Sequence, residues 1–285
     1  MPVQNQPIEE IILSNDRRGI SLLKNFLKSR YCERAALRVL NSPGRVIITT
    51  GFFILSAKAP ETDGPPGAVV IGKAMESIGF KVTYVTDQYC SNILKSLAGS
   101  EAEVINFPIE NHDSSRKRAE DLINRIKPTI TVSVERCGFD KNGRYLNMHN
   151  KDISDYTAKL DYLFIGQENT VGIGDGGNEI GMGNLESHLL NYPSLIKSPS
   201  TTTTTELIIS SVSNWGAYGL VAAMSQIINK NLLLPAEGEQ ALVRMACEMG
   251  AVDSMSLKPE PKVDGFNAED SASILESLHE LLNIS

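Results

Sequence analysis

Six short runs rich in Val, Ile and Thr recur along this chain of 285 residues, and most are separated by stretches with a helical apolar pattern. The runs are Arg45–Leu55, Lys81–Thr86, Glu103–Phe107, Thr129–Val134, Thr170–Ile173 and Leu207–Val212. Each is bounded by Gly, Pro, Asp or Asn, as buried strands are. Helical periodicity falls at Ala68–Ile78, Ser91–Leu97, Ser114–Lys127 and Asn214–Asn229, and again at about 236–249 and 269–282. Residues 8–40 also look helical, with polar breaks at Asn15 and Asp16. Strands alternating with helices predict an α/β fold: a mostly parallel sheet with helices on both faces. Ligands in such folds bind outside the C-terminal edge of the strands. That edge is where the active site is expected.

The residues expected on that edge are acidic. Asp87, Glu135 and Asp175 each close a strand, and Asp63 follows one by a short loop; Asn214 follows another. A single Asp at a strand end is an ordinary cap, but several on one edge form a constellation. The loop around Asp175 is the most unusual stretch of the sequence. Gly172-Ile-Gly-Asp-Gly-Gly-Asn-Glu-Ile-Gly-Met-Gly183 places six glycines in twelve residues. So much glycine implies backbone angles or close approaches that other residues resist. Gly174, Gly176, Gly177, Asn178 and Asn214 are candidates to cradle a bound group beside Asp175 and Glu179. Pro60-Glu-Thr-Asp-Gly-Pro-Pro-Gly67 is a second built loop, stiffened by prolines, which presents Glu61 and Asp63.

Carboxylates, side-chain amides and carbonyls are hard oxygen ligands that suit Mg²⁺, Mn²⁺ or Ca²⁺. One or two such ions could clamp a phosphoryl group or hold a substrate carboxylate. Buried acids could also act as a base. Arg136 and Arg144, in the loop after Glu135, offer bidentate forks for an anion, and His149 lies in the same polar stretch. The tract Ser198–Thr205, with five consecutive threonines, reads as a loop or as a flap over the site.

Other motifs fail in context. Gly172-x-Gly174-x-x-Gly177 matches a dinucleotide fingerprint, but Asp175 would repel the phosphates and no acid stands at the ribose spacing. Gly67-x-x-x-x-Gly72-Lys73 is followed by Ala74, where a phosphate loop needs Ser or Thr. No GxSxG elbow occurs. Net charge of −7 with no basic stripe argues against nucleic acid and anionic membranes. Cys32, Cys90, Cys137 and Cys247 form no CxxC pair, which argues for free thiols and against structural zinc. With neither a signal core nor a spanning segment, the expected location is the cytoplasm. A homo-oligomer is compatible with all of this.

Thr50-Gly-Phe52, Pro60–Gly67, Val85-Thr-Asp87, Gly172–Gly183 and Val212-Ser-Asn-Trp-Gly216 together resemble the family of the D-glutamate cyclase C-terminal domain. The resemblance covers about residues 8 to 282, so residues 1–285 read as a single such domain with a helical N-terminal segment, 1–42, packed on it. It implies an α/β fold and an acidic site for Mn²⁺ or Mg²⁺, with a small anionic substrate. It points to Asp63, Glu135, Asp175 and Glu179 as metal ligands, and to Glu135, Asp175 and Glu179 as catalytic. Cyclisation of D-glutamate to 5-oxo-D-proline is the reaction the family implies; phosphoester hydrolysis is the alternative the oxygen ligands allow, and a non-catalytic binding module the third. The sequence departs from the family pattern at Asn142 and Ser254. D-glutamate cyclase also carries a further N-terminal domain with no counterpart in this sequence.

Overall fold

The computed structural model describes residues 7–282. Its strands are β1 (Arg45–Thr50), β2 (Phe53–Ile54), β3 (Ala59–Pro60), β4 (Lys81–Thr86), β5 (Glu103–Asn106), β6 (Ile130–Val134), β7 (Thr170–Gly174) and β8 (Glu206–Ile209). The helices are α1 (Ile8–Ile12), α2 (Tyr31–Leu40), α3 (Pro65–Glu76), α4 (Ser91–Ala98), α5 (His112–Ile126), α6 (Glu186–Leu189), α7 (Ser213–Ile228), α8 (Ala236–Glu248) and α9 (Ala268–Leu282).

Six strands form one parallel sheet in the order β5-β4-β1-β6-β7-β8. The first half of the sheet runs outward from β1 and the second from β6. The order therefore reverses between these two strands, where a doubly wound sheet opens its binding crevice. Alternation along the strands splits the core in two. Val46 and Ile48 of β1, with Val82 and Tyr84 of β4, face the large core. Helices α1–α4 and α7–α9 build that core. Ile47 and Val85 face the other way, into a smaller core made by α5 and a 3₁₀ turn at Leu160–Leu163. Helices thus cover both faces, unequally. All four cysteines are unpaired and buried, and no described helix is long and apolar enough to cross a membrane.

Three local departures from the sequence expectation bear on the site. The run Arg45–Leu55 is not one strand. It ends at Thr50 because Gly51 takes φ +105°, where a Cβ would lie 2.8 Å from that of Cys90. The chain then makes the small β2–β3 hairpin, which becomes a wall of the site. The helical stretch 8–40 is three pieces. Asn15 and Gly19 have positive φ, and the Asp16 carboxylate binds the amides of Arg18, Gly19 and Ser21, an Asx-type turn that competes with helix. The described part of the N-terminal segment still packs on the core, through Ile8, Ile12, Ile20, Leu23 and Tyr31. Lastly, α3 starts at Pro65, three residues early, because prolines suit the first helical positions.

Candidate functional site

Two helix N-termini meet at the crevice and cap each other. The Asp63 carboxylate accepts the amides of Ser213 (2.9 Å) and Asn214 (2.8 Å) at the start of α7. The Asn214 side-chain oxygen accepts the amides of Gly64 (3.0 Å) and Gly67 (2.8 Å) at the start of α3. Both exchanges satisfy orphan donors of a first helical turn. A Cβ on Gly67 would lie 2.7 Å from that oxygen, so the two helices approach only because residue 67 is glycine. The Asn214 amide nitrogen binds the Thr62 carbonyl (3.2 Å). Asn214 therefore fixes the loop that carries Asp63, with its side chain fully committed to protein groups.

Glu135 follows β6 directly, with φ +43°, a conformation costly for a residue with a Cβ. Its carboxylate accepts the Ser213 hydroxyl at 2.6 Å. Asp175 follows β7 and is fully buried. Its Oδ1 lies 2.7 Å from Arg18 Nη1, and its Oδ2 has no hydrogen-bond partner. Glu179 turns back on the glycine loop, where its two oxygens accept the amides of Gly176 and Gly177, both at 2.8 Å. These amides serve Glu179 itself. Gly174 stands beneath it: a Cβ there would lie 2.9 Å from Oε2. Asn178 donates to the Leu146 carbonyl (2.8 Å) and lines the adjoining cavity.

One carboxylate oxygen from each of Asp63, Glu135 and Asp175 lies within 4.8 Å of the other two. Three strand-end loops far apart in the chain thus converge on one point. Glu179 stands beside this triad, and Glu61 joins it from the Asp63 loop with Oε1 unpaired and buried. Asp264 reaches the same cluster through Arg18, whose Nη2 lies 2.8 Å from Asp264 Oδ1. Ser254 donates to the same oxygen at 2.5 Å. Burial raises the pKa of Asp63, Glu61, Glu135, Asp175 and Glu179. Asp63 is pushed up to about 8 by burial and the Asp264 charge. Glu135 and Asp175 are well above the usual carboxylate range, each by burial first; Asp175 adds to the charge on Glu135, and Arg18 opposes the rise at Asp175. Glu61 and Glu179 rise for the same leading reason.

These donors fit a hard divalent cation. All are carboxylates, they converge, and three buried oxygens among them, Asp175 Oδ2, Glu61 Oε1 and Asp264 Oδ2, have no partner in the protein. An orphaned carboxylate oxygen in a dry site is costly unless a proton or cation meets it.

A cavity of about 270 Å³ adjoins the acids; Arg18, Glu61, Glu135, Asn178 and Glu179 line it, and Asp63 and Asp175 do not. His149 and Met148 reach it from the polar loop after β6. The other expected residues lie elsewhere. Asp87 is drawn off by Arg136, 2.7 Å away. Arg136 is buried and spends its fork on the carbonyls of Gly51 and Ala158, so it grips no anion. Arg144 pairs with Asp140 (2.9 Å), whose carboxylate also takes the Asn142 amide. The threonine tract is no flap: Thr202 donates to buried Asp161 (2.5 Å), Thr203 bridges Gly181 and Met182, and none of residues 198–205 lines the cavity.

The amino-acid sequence matches the family described as D-glutamate cyclase-like, C-terminal, over residues 8–279. It is 29% identical to human mitochondrial D-glutamate cyclase over 209 residues, which is 63% of this chain and 32% of the human protein. The match therefore spans about a third of the length of that curated relative. With the family's pattern running through nearly the whole chain, from α1 to α9, the protein belongs to the D-glutamate cyclase-like C-terminal family.

Proposed function

We propose that this protein is a divalent-cation-dependent enzyme acting on a small anionic amino acid, with cyclisation of D-glutamate to 5-oxo-D-proline as its reaction. The observation that carries the proposal is the convergence of Asp63, Glu135 and Asp175, of which Glu135 lines the cavity, with one buried oxygen of Asp175 left without a partner. The human relative's name supplies the reaction.

Asp63, Glu135 and Asp175 would hold Mn²⁺ or Mg²⁺. A bound cation supplies positive charge that neutralises the buried acids and polarises a substrate carboxyl oxygen. The remaining work falls to the chain. Cyclisation requires the substrate ammonium to give up two protons and the side-chain carboxyl to lose one oxygen as water. Glu135 belongs to the triad and also lines the cavity, so it is the group placed to take a proton from nitrogen and return it to the departing oxygen. Among the described residues Arg18 is the one guanidinium lining the cavity; with both terminal nitrogens on Asp175 and Asp264, it holds these acids in place and adds positive charge beside the substrate carboxylate. The half-enclosed cavity limits water around the reacting carboxyl.

The test is metal analysis of the purified protein followed by a substrate panel with and without Mn²⁺. Cation-dependent formation of 5-oxo-D-proline from D-glutamate is the expected result. Hydrolysis of p-nitrophenyl phosphate without 5-oxo-D-proline would move the assignment to phosphoester hydrolysis. Mn²⁺ binding with no turnover of either would reduce the protein to a binding module.

A further inference from the structure

The cavity has a second half that free D-glutamate would leave unused. Seven of its sixteen lining residues are large and apolar, and three of these are well exposed. Met255 is 62% exposed, Leu257 43% and Met148 42%. Side chains of this kind gathered on a concave rim mark a binding surface more often than chance exposure does.

Both walls of the mouth are built rather than loose. On one side Phe53, from the β2–β3 hairpin, stacks on Tyr156 with ring centroids 4.5 Å apart and planes 3° from parallel. It also packs against Tyr89 at 4.5 Å. On the other side residues 253–258 form a closed loop. The Leu257 amide donates to the Asp253 carbonyl (2.9 Å) and the Asp253 amide to the Lys258 carbonyl (3.0 Å). The Asp253 carboxylate holds the amides of Ser256 and Gly265, both at 2.7 Å. Leu257 itself takes φ +60°. A branched apolar residue in that region is an outlier, and such strain concentrates at ligand clamps. Here it keeps an apolar side chain at the mouth of an acidic pocket, half in water.

From the continuity of this mouth with the acidic floor, we infer that the natural substrate is an amino-acid head bearing an apolar substituent, a D-glutamyl amide or ester of an apolar amine or alcohol, whose substituent packs between Phe53 and the Met255–Leu257 loop. The inference rests on the D-glutamate reading for the identity of the head. The tail follows from the mouth alone.

The experiment uses two series of probes, D-glutamate γ-alkylamides and α-alkylamides from methyl to hexyl, titrated calorimetrically into the Mn²⁺-treated protein. Affinity should rise about fourfold for each added methylene in one of the series, as burial of a CH₂ group requires. The series that rises identifies the carboxyl bearing the substituent. Met255→Ser and Leu257→Asn should flatten the rise. Both sites are exposed enough to accept the change, and Asn tolerates the positive φ. Two flat series, or a slope that both variants leave unchanged, would overturn the inference. So would a wild-type dimer that Met255→Ser converts to a monomer in sedimentation, with flat series; the mouth would then be a contact between copies. Ring closure of a γ-amide releases the alkylamine in place of water and leaves 5-oxo-D-proline, whereas an α-amide loses water and keeps its substituent as a 5-oxo-D-prolyl alkylamide; a rising series that forms neither product would defeat the proposed reaction and leave the tail site standing. Rapid cyclisation of D-glutamate with flat series would do the reverse.

Discussion

Arg18 and Asp175 are 157 positions apart in the chain and 2.7 Å apart in space, Nη1 to Oδ1. The same guanidinium reaches Asp264 at 2.8 Å. One arginine from the N-terminal segment therefore bridges two buried acids, one from the middle of the sequence and one from near its C-terminal end. Removing it leaves both acids without a counter-charge, and unpaired buried charge is expensive. Arg18→Gln should cost the metal-free protein about 3 kcal/mol, and Mn²⁺ should restore most of the loss by replacing the missing positive charge. Thermal melts with and without Mn²⁺ would read both effects. A variant that melts with the wild-type protein in EDTA would show that the pair contributes nothing.

Asp175 is the acid best placed to ligate a cation, because its Oδ2 is buried and accepts no hydrogen bond from the protein. Asp175→Asn keeps the shape and removes the charge. Mn²⁺ affinity should fall at least tenfold, while loss of the exposed surface acid Glu120 should leave it unchanged. Equal Mn²⁺ affinity for the two variants would remove Asp175 from the ligand set.

The glycine loop separates two kinds of constraint. Gly177 has φ +99°, and a Cβ there would lie 2.8 Å from Ile196 Cγ2. Gly177→Ala should therefore cost about 1 kcal/mol or more in stability through strain and overlap. Gly176 has no unusual φ, but a Cβ would lie 2.8 Å from Glu179 Oε1. Gly176→Ala should push that carboxylate aside, lowering turnover more than melting temperature. The opposite ranking, with Gly176→Ala the less stable and the more active, would contradict the geometry.

Glu135→Gln is the direct test of the proposed proton carrier. The amide can still accept the Ser213 hydroxyl that Oε2 accepts at 2.6 Å, so the fold should hold. Turnover should fall about 10²–10⁴-fold with a smaller change in KM. Wild-type kcat in this variant would exclude Glu135 as base.

The ease of reading this chain varied with the range of the interactions. Strands such as Lys81–Thr86 have the same limits in sequence and structure, because β-branched and aromatic residues fill a strand buried on both faces, and Gly79 and Asp87 bound it. Asp63, Glu135 and Asp175 were legible because strand ends at a switch point converge whatever the loops do. Arg18 was not. Its local surroundings, Asn15-Asp-Arg-Arg-Gly19, read as a solvated turn, and only the fold carries that turn to Asp175. Asp87 and Arg136 each read as site residues, yet they satisfy each other, since a buried charge takes its nearest partner. The break at Gly51 was hidden because Phe52–Leu55 continue the apolar run and only the contact with Cys90 forces the turn.

Stability should depend on pH in a direction set by the acids. Burial first, and the Asp264 charge next, lift Asp63 to about 8, whereas an unfolded aspartate releases its proton near pH 4. Glu239, buried beside the Tyr218 hydroxyl, is lifted to about 7 and acts with the same sign. Between about pH 4 and pH 8 the folded, metal-free protein thus holds protons that the unfolded chain has lost, so stability falls as pH rises through this window. Asp16 and Asp140 run the other way, their hydrogen bonds outweighing burial, but they titrate below it. A cation requires the ionised carboxylates, so its stabilisation should grow over the same range. Melting temperatures in EDTA should drop from pH 5 to pH 8, at about 2–4 °C per kcal/mol for a chain of this size, while those in Mn²⁺ should drop less or rise. Two parallel curves would mean that the acids do not release their protons to the metal, and that Asp63, Glu135 and Asp175 are not its site.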